Sequence, residues 1–165
     1  MKNKQDYLII LLLIVVPILV MVGCSSTKKI APLQQGEPFK LLNLHQFTFI
    51  ADNVSPLRGR TRYLTSEYSL TVNKDSLICY LPFFGNSTQA PMNPSETGIQ
   101  FTSTDFSYKL VDGKNNQKQL TIVPHDRRDI QQLYFVLFDN GTGSLNVTST
   151  FRDPISFTGH LQRLK

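Results

Sequence analysis

The chain has 165 residues, 41% of them hydrophobic and 18% charged, with a formal net charge of +5, two cysteines, three histidines and no tryptophan. That is the length of one domain, and it excludes an enzyme assembled from separate cofactor and substrate modules. The charged fraction is too low for a polyionic, disordered chain.

The N-terminus divides in three. Lys2 and Lys4 form a positive start, Leu8 to Val22 is apolar and contains Pro17, and Met21-Val22-Gly23-Cys24-Ser25-Ser26 follows. The apolar run has the length of a secretory core and falls short of the roughly 20 residues of a membrane helix. Gly23 before Cys24 resembles the lipobox of bacterial lipoproteins. The resemblance implies cleavage after Gly23 and acylation of Cys24. Residues 1–23 are therefore expected to be a signal peptide and Cys24 the lipid-bearing residue that holds the protein to a membrane. Two or three acyl chains anchor stably where one does not. A transmembrane anchor with an ordinary Cys24 is the alternative; the short run and Pro17 weigh against it. The expected location is the cell envelope, at the outer membrane, with the domain in the periplasm or at the cell surface. In that compartment no nucleic-acid partner is expected.

Residues 24–38, rich in Ser, Lys, Gln and Pro, read as the lipidated cysteine and a flexible tether, and residues 39–165 as the folded domain. Phe39 to Asn43 predicts one helical turn. Period-two alternation then takes over. His45, Phe47, Phe49 and Ala51 share a face. Asn53 to Arg60 breaks the pattern. Tyr68, Leu70 and Val72 alternate with polar neighbours, and Asn73-Lys74-Asp75 is a tight turn. Ser76 to Phe84 is apolar on both parities and predicts a central strand, with Pro82 marking its end or a bulge. Asn86 to Gly98 is an irregular loop that suits a lid or rim. Ile99 and Phe101 take one parity and Phe106, Tyr108 and Leu110 the other, so a bulge or bend is expected at Ser103-Thr104-Asp105. Asp112 to Asn116 is a hairpin turn, and Leu120 and Ile122 alternate beyond it. Pro124 to Ile130 is a charged loop, and Leu133 to Phe138 is a second fully apolar strand. Asp139-Asn140-Gly141-Thr142-Gly143 is the strongest hairpin signal. Leu145 and Val147, then Ile155, Phe157, Gly159 and Leu161, alternate after it. About eight strands with short connections and no long helix predict an all-β fold. The expected form is a single antiparallel β-sandwich or a partly closed β-barrel.

Tyr80-Leu81-Pro82-Phe83-Phe84-Gly85, Gly98-Ile99-Gln100-Phe101, and Arg152 followed by Ile155-Ser156-Phe157-Thr158-Gly159 together resemble a family of Bacteroidota envelope lipoproteins known as domain of unknown function 4251. The likeness runs from about Phe39 to Leu161. It implies a small, mostly β, secreted or lipid-anchored domain, and it carries no catalytic residue.

Several groups of residues are candidates for function. Arg127 and Arg128, in the cluster His125-Asp126-Arg127-Arg128-Asp129, offer bidentate forks to an anion; as a solvated loop they would pair locally. Arg58, Arg60 and Arg62 alternate, so on a strand they would share one face. There they would meet lipid phosphates or an acidic glycan, or simply block an edge. Tyr80, Phe83 and Phe84 would line a ligand cleft or belong to the core. Ser76, in Asp75-Ser76-Leu77, resembles a Bacteroidota O-glycosylation site. The Asn-X-Ser/Thr sequons at Asn53, Asn86, Asn140 and Asn146 read as turn and strand residues. Cys79, between apolar neighbours, is expected to be a buried inert thiol. No carboxylate pair, metal-ligand spacing, phosphate loop or nucleophile elbow occurs, so no catalytic residue, metal or cofactor is expected. The favoured reading is a non-enzymatic, lipid-anchored β domain that binds an envelope protein, a glycan or a small ligand. The alternative is an envelope hydrolase with a site built from His125, Asp126 and a hydroxyl on a neighbouring strand.

Overall fold

The computed structural model describes residues 33–88 and 98–164. One helix, α1 (Glu37–Asn43), precedes nine strands. These are β1 (Gln46–Pro56), β2 (Arg62–Asn73), β3 (Ser76–Leu81), β4 (Ile99–Ser103), β5 (Phe106–Asp112), β6 (Gln117–Pro124), β7 (Ile130–Phe138), β8 (Thr142–Ser149) and β9 (Ile155–Gln162). All pairings are antiparallel, in the order β4-β3-β2-β1-β9-β8-β7-β6-β5.

The two edges of this sheet belong to consecutive strands. Nine alternating strands give β4 and β5 the same direction, and only Thr104 and Asp105 separate them. They act as one kinked strand. Its first half pairs with β3 and its second with β6, so the sheet curls into a nearly closed barrel of eight staves. The parity change at Ser103-Thr104-Asp105 is this kink.

The inward parity supplies the core. Phe47, Phe49, Leu70, Val72, Leu77, Leu120, Ile122, Leu133, Phe135, Leu137, Leu145, Val147 and Phe157 are fully buried. Each such side chain stabilises the fold by about 1.5–3 kcal/mol. Phe135 meets Phe47 and Phe49 edge-on across the interior, at 6.3 and 5.6 Å between ring centres. A bulge after Ala51 restores the parity so that Val54 also points inward. Ala51, Gly159 and Gly143 face one another across β1, β9 and β8. A Cβ on Gly159 would lie 1.9 Å from the Ile50 carbonyl oxygen, so this column of small residues lets the sheet coil tightly.

Helix α1 covers one end of the barrel. Pro38 stands in its first turn and Leu42 is buried under it. The Gly36 N–H donates to the Asp139 carbonyl, Arg163 forks onto Glu37, and the Tyr108 hydroxyl donates to the Leu42 carbonyl at 2.9 Å. The Arg163 guanidinium holds the Glu37 carboxyl below its ordinary value. The ordered fold thus begins before Phe39, because Leu33 already packs on the core and residues 34–38 are bonded to the β7–β8 turn and α1.

Three expectations change. Ser76–Phe84 is not a central strand buried on both faces. β3 ends at Leu81, lies second from the sheet edge and exposes Ile78 and Tyr80. His45 does not join the inward face of β1; it precedes the strand with φ 53° and stacks on Tyr108 at 3.8 Å. Arg58 and Arg60 lie in the loop between β1 and β2, not on a strand.

Candidate functional site: an arginine-rich barrel end

Strand direction places four connections at the end opposite α1: residues 57–61, the segment after β3, residues 125–129 and residues 150–154. Six of the seven arginines of the chain, Arg58, Arg60, Arg62, Arg127, Arg128 and Arg152, belong to these connections or adjoin them. The seventh, Arg163, ties down α1. The described lysines are segregated from them: Lys40, Lys74, Lys114 and Lys118 sit at the α1 end, and Lys109 sits midway along β5.

Three of these arginines cover phenylalanine rings. The guanidinium carbons lie 5.1 Å from the ring centre for Arg62 on Phe84, 5.1 Å for Arg152 on Phe83, and 5.5 Å for Arg127 on Phe101. A guanidinium over a ring gains about 0.5–2 kcal/mol, depending on desolvation. Arg152 also donates to the Gly98 carbonyl at 2.6 Å, and Arg127 forks onto Asp129 at 3.2 and 3.3 Å. The backbone locks the end together. Ser87 bridges to Arg152, the Thr88 N–H donates to Phe151, the Asp153 N–H to Asn86, and the Thr150 N–H to Asp129. The Asp153 carboxylate accepts from the Asn86 N–H, and the Arg128 carbonyl accepts from the Thr150 hydroxyl.

Arg58, Arg60 and Arg128 remain. They are exposed, and among the described residues no carboxylate pairs with them. Exposed apolar groups lie in the same connections or adjoin them: Leu57, Tyr63 (87% exposed) and Phe151 (40%). Pro56 pairs with Ile155, which brings the 57–61 loop against residues 150–154 and so toward Arg128.

Asp126 holds the kink. Its carboxylate accepts the Ser103 hydroxyl at 2.5 Å and the Thr104 N–H at 3.1 Å, while the His125 N–H donates to the Asp105 carbonyl. The Ser103 hydrogen bond keeps the Asp126 carboxyl below its ordinary value. A hydroxyl on a neighbouring strand does meet Asp126, then, but directly. The His125 ring is exposed, and among the described residues no hydrogen bond joins it to Ser103 or Asp126.

The family model for domain of unknown function (DUF4251) matches residues 35–161. The chain belongs to the DUF4251 family. A crystal structure of a DUF4251 family protein from Bacteroides eggerthii DSM 20697 superposes with a TM-score of 0.55 at 16% identity, covering 76% of this chain and 85% of that one. That likeness speaks to the fold alone. No curated protein matches the chain. In the DUF4251 domain the three segments that carry the family likeness meet at the arginine end. Phe83 from the first lies under Arg152 from the third, and Arg152 donates to Gly98 from the second.

The other sequence candidates are spread over the domain. Tyr80 does not join Phe83 and Phe84 in a cleft; it stacks on Tyr68 on the outer wall at 5.6 Å. Phe83 and Phe84 are half-buried against the core. Cys79 is buried and free, and burial pushes its thiol above the ordinary 9.0. Ser76 stands at the β2–β3 turn near α1, its hydroxyl donating to the Asn73 carbonyl. Gly23, Cys24 and most of the Asn86–Gly98 loop lie outside the described residues. A cleft of about 360 Å³ runs along β5, lined by Asn43, His45, Tyr108, Leu110, Asp112 and Lys118. Burial raises the Tyr108 hydroxyl above its ordinary 10.0, and Lys118 is paired with Asp112. Among the described residues no group of three or more His, Cys, Asp or Glu side chains could hold a metal ion, and no helix is long and apolar enough to cross a membrane.

Proposed function

We propose that this protein is an envelope lipoprotein, anchored through acylated Cys24, whose DUF4251 domain binds an envelope partner or ligand through its arginine-rich end. The observation that carries the reading is the gathering of six of seven arginines at the end of the barrel opposite α1. The role is binding, with no chemical step. The Asp126 carboxylate, the acid of the alternative hydrolase site, is occupied by Ser103 and the Thr104 N–H, where it braces the β4–β5 kink.

Two measurements test the proposal. Cells expressing the full chain are labelled with palmitate and fractionated. Label and membrane association are expected for the native protein and loss of both for Cys24→Ala; an unlabelled native chain would refute the anchor. In the same cells a photo-cross-linking residue replaces Tyr63 or Lys114. Discrete adducts are expected from position 63 alone. Adducts only from position 114 would place binding at the other end.

A further inference from the structure

We infer that the arginine end takes an acidic polysaccharide, a polymer of sugars bearing carboxylate or sulfate groups; the inference rests on the binding role proposed above. Three features of the surface point to this class of ligand. Arg58, Arg60 and Arg128 present guanidinium groups that no carboxylate of the described residues engages. The end uses arginine throughout and no described lysine, and a planar, weakly hydrated fork matches a carboxylate or sulfate edge better than an ammonium does. Exposed rings adjoin these charges along the chain, Tyr63 following Arg62 and Phe151 preceding Arg152. The face of an aromatic ring is electronegative, so it attracts the electropositive C–H face of a sugar ring while the arginines hold the acidic groups at its rim.

The geometry favours a polymer over a single anion. The free cations come from two separate loops, 57–61 and 125–129, joined through residues 150–154. A repeating anion engages such dispersed sites together, and its apparent affinity rises through effective concentration. The cations are held apart by structure. Arg62, Arg127 and Arg152 are seated on Phe84, Phe101 and Phe83, so the loops that carry the free arginines are fixed before any ligand arrives. A protein partner would ask for a larger apolar centre than Leu57, Tyr63 and Phe151 offer.

The full-length chain in non-ionic detergent is titrated calorimetrically with polygalacturonate, neutral dextran and inorganic polyphosphate. Polygalacturonate is expected to bind and dextran not to. Affinity should weaken as salt rises, since the charges are exposed. The triple change Arg58→Gln, Arg60→Gln, Arg128→Gln should weaken binding at least tenfold, whereas Lys74→Gln with Lys114→Gln at the other end should leave it within twofold. Tyr63→Ala should weaken polygalacturonate several-fold and leave any polyphosphate binding unchanged. Equal binding of polyphosphate with no effect of Tyr63→Ala would overturn the sugar assignment. No binding of either polymer would overturn the ligand class. The cross-linking at position 63 separately decides whether this end binds anything, so the two failures are distinguishable.

Discussion

Arg152 joins the three segments of the arginine end, and its replacement by methionine tests that role. Methionine keeps an unbranched, apolar stem over the Phe83 ring but removes the fork. One loss is the hydrogen bond from the guanidinium to the Gly98 carbonyl, 2.6 Å long. A hydrogen bond to a charged group contributes about 1.5–3 kcal/mol. The other is the guanidinium–ring attraction at 5.1 Å, about 0.5–2 kcal/mol. Together they predict a loss of about 2–5 kcal/mol, or roughly 5–20 °C in Tm for a domain of this size. Urea unfolding followed by far-UV circular dichroism reads the loss directly, since the chain has no tryptophan. Arg128→Met, at an exposed cation with no paired carboxylate, is the control and should cost under about 0.5 kcal/mol. Equal, small effects of the two changes would refute the role given to Arg152. A double-mutant cycle with Phe83→Ala isolates the ring term.

Gly159→Ala should destabilise by about 1–3 kcal/mol, because the new methyl would meet the Ile50 carbonyl oxygen at 1.9 Å and push β9 from β1; chemical denaturation measures it. Ser103→Ala should leave Asp126 without its main partner. The folded state holds that carboxyl charged below its ordinary 3.8, so the clasp stabilises above that pH and is lost as pH falls through the folded pKa. The stability gap between native and Ser103→Ala protein should therefore narrow in acid titrations below about pH 3.8. A thiol reagent should leave Cys79 intact in the folded protein at neutral pH and modify it in urea, since burial suppresses the thiolate.

The strands were largely legible. Period-two alternation marked the inward faces of β1, β2, β6, β8 and β9, and the parity change before Phe106 marked the kink that closes the barrel. Ile78 and Tyr80 misled, because an apolar side chain on the outer face of β3 reads the same as a buried one. One peptide forms a kinked stave with two partners, so about eight strands became nine. The site was legible only in pieces. Arg58, Arg60 and Arg62, and Arg127 and Arg128, stood out as separate charged runs, each readable as a solvated loop. Arg152 drew notice only through family likeness, and Ser103 only as part of the expected bend, not as a partner of Asp126. What joins them is the antiparallel order that stacks connections 57–61, 125–129 and 150–154 at one end, and no local spacing encodes that order. Asp126 was singled out beside His125, but its partner proved to be a buried serine on β4 and its role a brace.

The most direct test of the arginine end uses the arginines themselves. Protein labelled with ¹⁵N-arginine gives seven side-chain Nε–H signals, one from Arg163 at the opposite end. Polysaccharide from the host envelope is added while these signals are followed by NMR. The account predicts shifts at Arg58, Arg60 and Arg128 and an unmoved Arg163; a spectrum that does not change, or one in which Arg163 alone shifts, would contradict it.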